Sequence, residues 1–260
     1  MKRSFIKALW GIHDHQGRRL YKRRTKIDND IQLCLHNKYQ EPFITYVFGE
    51  DNYKFLVDNG FNCKLIDKKP IVWDIDTQQF RHKFEAFKLA AEEFDEFVFT
   101  DWDMMFIKPL PKDFWDKMYE KEEIQAILRI YKHPKVSWRN KDCKDCSRIV
   151  PSGSFIYIRR KSIAEELIKY WEMLNKPWGE EVVMAKYIDD KMNNGFNMEE
   201  YWRRFEPIYF RLQPMYEKEK LDTKICIVEH VNERGINWYL NQMKNNNYID
   251  WLQKEKRIYK

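Results

Sequence analysis

The stretch that decides the fold runs Glu96-Phe97-Val98-Phe99-Thr100-Asp101-Trp102-Asp103-Met104-Met105-Phe106-Ile107-Lys108-Pro109-Leu110-Pro111. Phe97 to Thr100 is an uncharged run dominated by large apolar side chains, as in a strand buried on both faces. Two carboxylates follow, one residue apart. In a regular strand Asp101 and Asp103 would point to opposite faces, so they can share an ion only where the strand stops and the backbone turns. Prolines at 109 and 111 forbid a regular continuation beyond that point. The tripeptide alone is common and often only caps a strand; its context, an apolar strand before it and an apolar hook after it, favours a metal site.

Working outward, short apolar runs alternate with amphipathic ones, the pattern of an α/β sheet with helices on its faces. Strands are expected at Ser4 to Ile12, Phe43 to Phe48, Phe61 to Ile66, Phe97 to Thr100, Ile124 to Tyr131, Ser154 to Arg159 and Lys224 to Glu229. Helices are expected near Asp28 to His36, at Asp51 to Asp58 with Gly60 as its stop, and at Gln79 to Phe94, Ile163 to Met173 and Glu180 to Lys191. In the Gln79 to Phe94 helix, Phe84, Phe87, Ala91 and Phe94 recur at helical spacing and face the sheet. The segment from Asn237 onward reads as an amphipathic helix. No repeat or long linker divides the chain, so one domain over 1–235 with a helical extension over 236–260 is expected.

Composition narrows the function. The chain has 260 residues, 43% hydrophobic and 34% charged with 8 glycines, enough for a sizeable core and unlike low-complexity disorder. A net charge of +6 suits an anionic ligand and falls short of a nucleic-acid binder's excess. No run of about 18 apolar residues suits a membrane span, and the basic start at Met1 lacks a signal-peptide cleavage pattern. The odd count of five cysteines argues for a reducing compartment, with the cytoplasm as expectation. Cys143 and Cys146 have zinc-knuckle spacing but lack a second Cys/His pair, and read as free thiols or a local bridge.

The carboxylate pair carries the chemistry. Oxygen ligands at a strand tip suit Mn²⁺ or Mg²⁺, and such an ion neutralises charge on a departing diphosphate. The stretch Phe97 to Leu110 resembles the DXD region of GT-A-fold glycosyltransferases, in which a strand ends in Asp-x-Asp before an apolar, Lys-Pro-Leu-like hook. The resemblance spans roughly residues 5 to 235 through a few short motifs. It implies a GT-A (Rossmann-like) mixed sheet, and transfer of a sugar from a UDP- or GDP-sugar held through Mn²⁺ or Mg²⁺ to a glycan, lipid, protein or nucleic acid.

Further residues follow from the same resemblance. Gly11 and Ile12, ending the first strand, would lie under the base; Arg81 and Lys83 would face the donor, together with Asp101, Trp102 and Ser154. Ser152-Gly153-Ser154 resembles the family's small-residue turn beside the acceptor. His230, after the last strand, would be a third metal ligand with Asp101 and Asp103. Glu180 and Glu181, at a helix start after Gly179, would position the acceptor hydroxyl or take its proton, with Glu180 favoured; a helix N-terminus also favours carboxylates on structural grounds alone. The alternative is a nucleic-acid binding or modifying protein, in which the basic segment Arg18 to Lys26 contacts a polyanionic acceptor. A phosphatase-type use of Asp101 fits poorly, because three strands precede it and Met105 stands where a Thr or Val is usual.

Overall fold

A computed structural model describes residues 1–10, 31, 34–35, 40–68, 78–102, 104–106, 109–130, 136, 138–139, 149–175, 177, 179–193, 196–207, 210–211 and 227–229. Nine strands lie in these segments: β1 (Arg3–Leu9), β2 (Phe43–Phe48), β3 (Cys63–Ile66), β4 (Glu96–Thr100), β5 (Met104–Phe106), β6 (Ile124–Ile130), β7 (Ile149–Ile158), β8 (Phe210–Arg211) and β9 (Ile227–Glu229). The helices there are α1 (Glu50–Asp58), α2 (Arg81–Glu93), α3 (Phe114–Tyr119), α4 (Lys161–Met173), α5 (Glu180–Lys191) and α6 (Met198–Phe205). A 3₁₀ turn, Gln78–Phe80, leads into α2. Among the described residues no helix is long and apolar enough to cross a membrane.

Six strands form one mixed sheet in the order β3-β2-β1-β4-β7-β6. The first four run parallel, β7 runs antiparallel to β4, and β6 pairs antiparallel with β7. Period-two alternation sorts the side chains between two layers. Ile6, Ala8, Phe97, Phe99, Ile156 and Ile158 face α2, α4, α5 and α6, meeting Phe84, Phe87, Leu167, Met184 and Tyr201 among others. Phe5, Val98, Phe155 and Tyr157 face the opposite way, onto Phe114 and Met118 of α3. Leu9 and Val47, on that second face, meet Leu56 of α1. Apolar residues on both faces make β4 and β7 buried throughout, as the uncharged run at Phe97 demanded.

Most expected elements fall in place, with instructive differences. In α2 the buried stripe is Phe84, Phe87 and Ala90, while Ala91 and Phe94 are half-buried at its edge. Gly60 follows α1 with φ +83°, a left-handed stop that a side chain would strain. The small-residue turn expected at Ser152 to Ser154 is instead continuous strand, the middle of β7. The chain after the acidic pair is also more regular than its prolines suggest. Met104–Phe106 pairs with Ile227–Glu229, and β8 completes a separate sheet in the order β5-β9-β8. In the helix expected near Asp28 to His36, Ile31, Cys34 and Leu35 are described and helical. The C-terminal extension lies outside the described residues.

This topology has a reversal point beside β1. The chain leaves β1 towards β2 and β3, then returns on the other side of β1 as β4. Where neighbouring parallel strands are entered from opposite directions, their connections diverge and leave a crevice at the carboxyl ends. Trp10 and Asp101 stand at the two carboxyl ends here.

Candidate functional site

Asp101 is the first residue past β4, and its backbone is held on both sides. Its N–H donates to the Ser154 carbonyl at 2.8 Å, and its carbonyl accepts from Met104 N–H at 3.2 Å. Its side chain stays partly open, 31% exposed, at the crevice.

Lys83, in the first turn of α2, reaches that carboxylate. Its ammonium lies 2.9 Å from Asp101 Oδ1 and 3.2 Å from Oδ2. It also donates to Glu180 Oε1 at 2.6 Å and to the Gly153 carbonyl at 2.9 Å, and lies above the Phe99 ring at 5.2 Å. Burial works against the ammonium, but Asp101 and Glu180 outweigh it and hold the Lys83 pKa above the ordinary lysine range. The lysine is charged.

Glu180 opens α5 and is buried, as is Glu181 beside it. Loss of water pushes the Glu180 carboxyl up; Lys83 pulls it back, Glu181 and Asp101 add to the rise, and the net direction is upward. Gly153 explains how Glu180 gets so close to β7. A Cβ at position 153 would overlap Glu180 Oε1 and lie 2.7 Å from its Cδ. The small residues thus open a slot for a carboxylate inside a strand. Ser152 and Ser154 flank that slot, both buried, with hydroxyls 2.9 Å apart.

The other expected residues divide. Arg81 does not join this cluster: its guanidinium pairs with Glu172 of α4 at 2.9 Å and with Glu85 at 3.9 Å. Trp102 turns to the second face of the sheet. Its indole N–H donates to the Ala8 carbonyl at 3.0 Å, and its ring meets Phe43 and Phe61 edge-on. Gly11, Ile12, Asp103 and His230 lie outside the described residues, as do Arg18 to Lys26, Cys143 and Cys146. The strand register stops at their borders: Met104, which follows Asp103, is paired with Glu229, which precedes His230.

Sequence reasoning missed Lys7, the role of Gly153, and His82. The His82 ring lies tilted at 4.1 Å from Phe48 and 5.7 Å from Trp10, and its Nδ1 meets Glu85 at 3.0 Å. Lys7 could have been noticed as a cation inside the apolar strand Phe5-Ile6-Lys7-Ala8-Leu9.

Chemically, two carboxylates, Asp101 and Glu180, share one lysine among the described residues, with the buried Glu181 next to Glu180 in the chain. The excess of negative charge and the partly open oxygens of Asp101 suit a hard divalent cation. Among the described residues no group of three or more His, Cys, Asp or Glu could hold a metal ion, Asp103 and His230 lying outside that set. No protein-family model matches the chain, and no curated protein matches it.

Proposed function

We propose that the chain is a metal-dependent glycosyltransferase with a GT-A-type sheet, taking a UDP- or GDP-sugar as donor. The observation that carries this reading is the buried Lys83 ammonium joining Asp101, at the tip of β4, to Glu180, at the start of α5. The cluster stands beside the crevice where open α/β sheets take nucleotides. It holds a partly open carboxylate at the strand tip, as a divalent cation bound with a sugar diphosphate requires.

Asp101, with Asp103 and His230, would hold Mn²⁺ or Mg²⁺. When bound, the ion neutralises charge on the leaving diphosphate. The protein's own side chains do the rest. Lys83, buried with its donors on Asp101, Glu180 and the Gly153 carbonyl, fixes the Asp101 carboxylate in place. Glu180, pinned by Lys83 and seated against Gly153, orients the sugar and acceptor hydroxyls. In the transfer, the acceptor oxygen bonds to the anomeric carbon and the bond from that carbon to the diphosphate breaks. The hydroxyl proton passes to a carboxylate, for which Glu180 and Glu181 are the candidates. The raised pKa of Glu180 suits it to hold that proton.

The test is a thermal-shift screen of UDP- and GDP-sugars with and without Mn²⁺. Ligand at a hundredfold its Kd adds about 2.7 kcal/mol of stability, so a donor that raises Tm only with the metal is the expected result. No shift with any donor in the presence of Mn²⁺ sinks the proposal.

A further inference from the structure

Lys7 sits in the middle of β1 and is only 1% exposed. Its neighbours on the same face of the strand, Phe5 and Leu9, belong to apolar clusters. A Met or Ile would fill that slot without removing a charge from water, so burial alone gives no reason for a lysine there. What the ammonium touches gives the reason. Nζ donates to Thr100 Oγ1 at 2.9 Å and to the Asp101 carbonyl at 2.9 Å. It also lies over the rings of Phe43, at 5.1 Å, and Trp102, at 5.4 Å. These contacts offset the desolvation and converge on the last residue of β4 and the two after it.

Asp101 is therefore held from both faces of the sheet. Lys83 comes from the α2 side and takes the carboxylate; Lys7 comes from the opposite side and takes the backbone carbonyl. Trp102 is fixed from the Lys7 side as well, through its indole bond to Ala8 of the same strand. The chain leaves strand geometry here, where alternation must be broken for two nearby carboxylates to converge.

We infer that Lys7 is a positioning residue, which sets the backbone at Asp101 and Trp102 and so the direction in which the Asp101 carboxylate is presented to a divalent cation and a nucleoside diphosphate. Its role in binding rests on the glycosyltransferase reading; its hold on the strand tip does not. Lys7 touches no reacting atom and acts through Asp101.

The test compares Lys7→Met, which keeps the volume and removes the ammonium, with Ile163→Ala, a core truncation in α4 on the other face. Two quantities are measured on the full chain: hydrogen exchange of the 98–106 amides, and Mn²⁺ affinity with UDP or GDP by electron paramagnetic resonance. K7M is expected to speed exchange at 101–104 at least tenfold relative to the rest of β4, and to weaken Mn²⁺ binding at least tenfold. Ile163→Ala, though destabilised, leaves both within about twofold once corrected for the unfolded fraction. Where K7M does not fold, Lys7→Gln, which keeps one donor, carries the same measurements with smaller changes in the same direction. Unaltered exchange at 101–104, or equal effects from the two sites, overturns the inference. If the wild-type chain binds Mn²⁺ with neither nucleotide, the glycosyltransferase reading fails, and the exchange result alone decides whether Lys7 holds the strand tip.

Discussion

Helix α5 carries a buried ion pair near each end, and the two are built differently. At its start, Glu180 shares Lys83 with Asp101, and the carboxylates outnumber the lysine. Near its end, Asp189 faces Arg139 as its ionic partner among the described residues: Nε lies 2.6 Å from Oδ2 and Nη2 2.8 Å from Oδ1, a bidentate match. Trp138 donates to the same carboxylate at 2.8 Å. Arg139 also donates to the Tyr201 hydroxyl at 3.2 Å and to the Ile149 carbonyl, and lies on the Phe196 ring at 4.1 Å. Both side chains of that pair are closed from water, whereas Asp101 is open to the crevice. A balanced, closed pair ties β7, α5 and α6 together. The unbalanced, half-open one is where we propose that a cation binds. Burial of charge is common to both, so stoichiometry and access are what separate them.

The balanced pair gives the largest expected change in stability. Arg139→Met leaves Asp189 buried without its counter-charge, and should cost about 3–5 kcal/mol in urea denaturation. The nucleotide affinity of the fraction that stays folded should hold within about twofold. An equal loss of affinity would mean that the two ends of α5 are not separable.

Asp101→Asn reverses the pattern. Lys83 keeps Glu180 and the Gly153 carbonyl, and Asp101 is half-open, so stability should move by no more than about 1 kcal/mol. Mn²⁺-dependent nucleotide affinity should fall at least a hundredfold by calorimetry, about 2.7 kcal/mol. Retained affinity would remove the reason for calling this end a site.

Gly153→Ala probes the slot itself. The added methyl meets the Glu180 carboxylate, so that side chain must shift off Lys83, at about 1–3 kcal/mol. Nucleotide binding should weaken about tenfold with it, because Lys83 contacts both partners.

The smallest effect concerns a carboxylate belonging to neither end. Burial pushes Glu206, at the end of α6, up to about 7, with Lys121 pulling the other way. A carboxyl whose folded pKa exceeds its unfolded value binds more protons when folded. Its contribution to stability is therefore present at low pH and fades as pH rises from about 4.5 to about 7. Glu206→Gln should flatten the decline in Tm over that window. An unchanged slope would show that burial alone does not set that carboxyl's titration, and would weaken the same argument for Glu180.

Much of the fold was legible because its signals are local. The apolar run at Phe97, the stop at Gly60 and the helical spacing in α2 each lie within a few residues, and each produced its element at nearly the expected place. Where reasoning failed, the cause was a distant partner. Ser152-Gly153-Ser154 has turn composition, yet its small residues make room for Glu180, which comes from another element. Met104–Phe106 is strand because β9, more than a hundred residues on, pairs with it. Arg81 and Lys83 are two residues apart and equally basic in sequence; helix rotation turns one to Glu172 and the other inward to Asp101.

By itself, then, the sequence determined a buried strand ending in acidic residues inside an alternating α/β chain, because propensity and hydrophobic period act over short spans. Only the tertiary structure decided that Lys83 joins Asp101 to Glu180 and that Lys7 holds the same residue from the opposite face. The Lys83–Glu180 and Lys7–Asp101 contacts join residues 97 and 94 positions apart, and their strength depends on the exclusion of water, which no local pattern encodes.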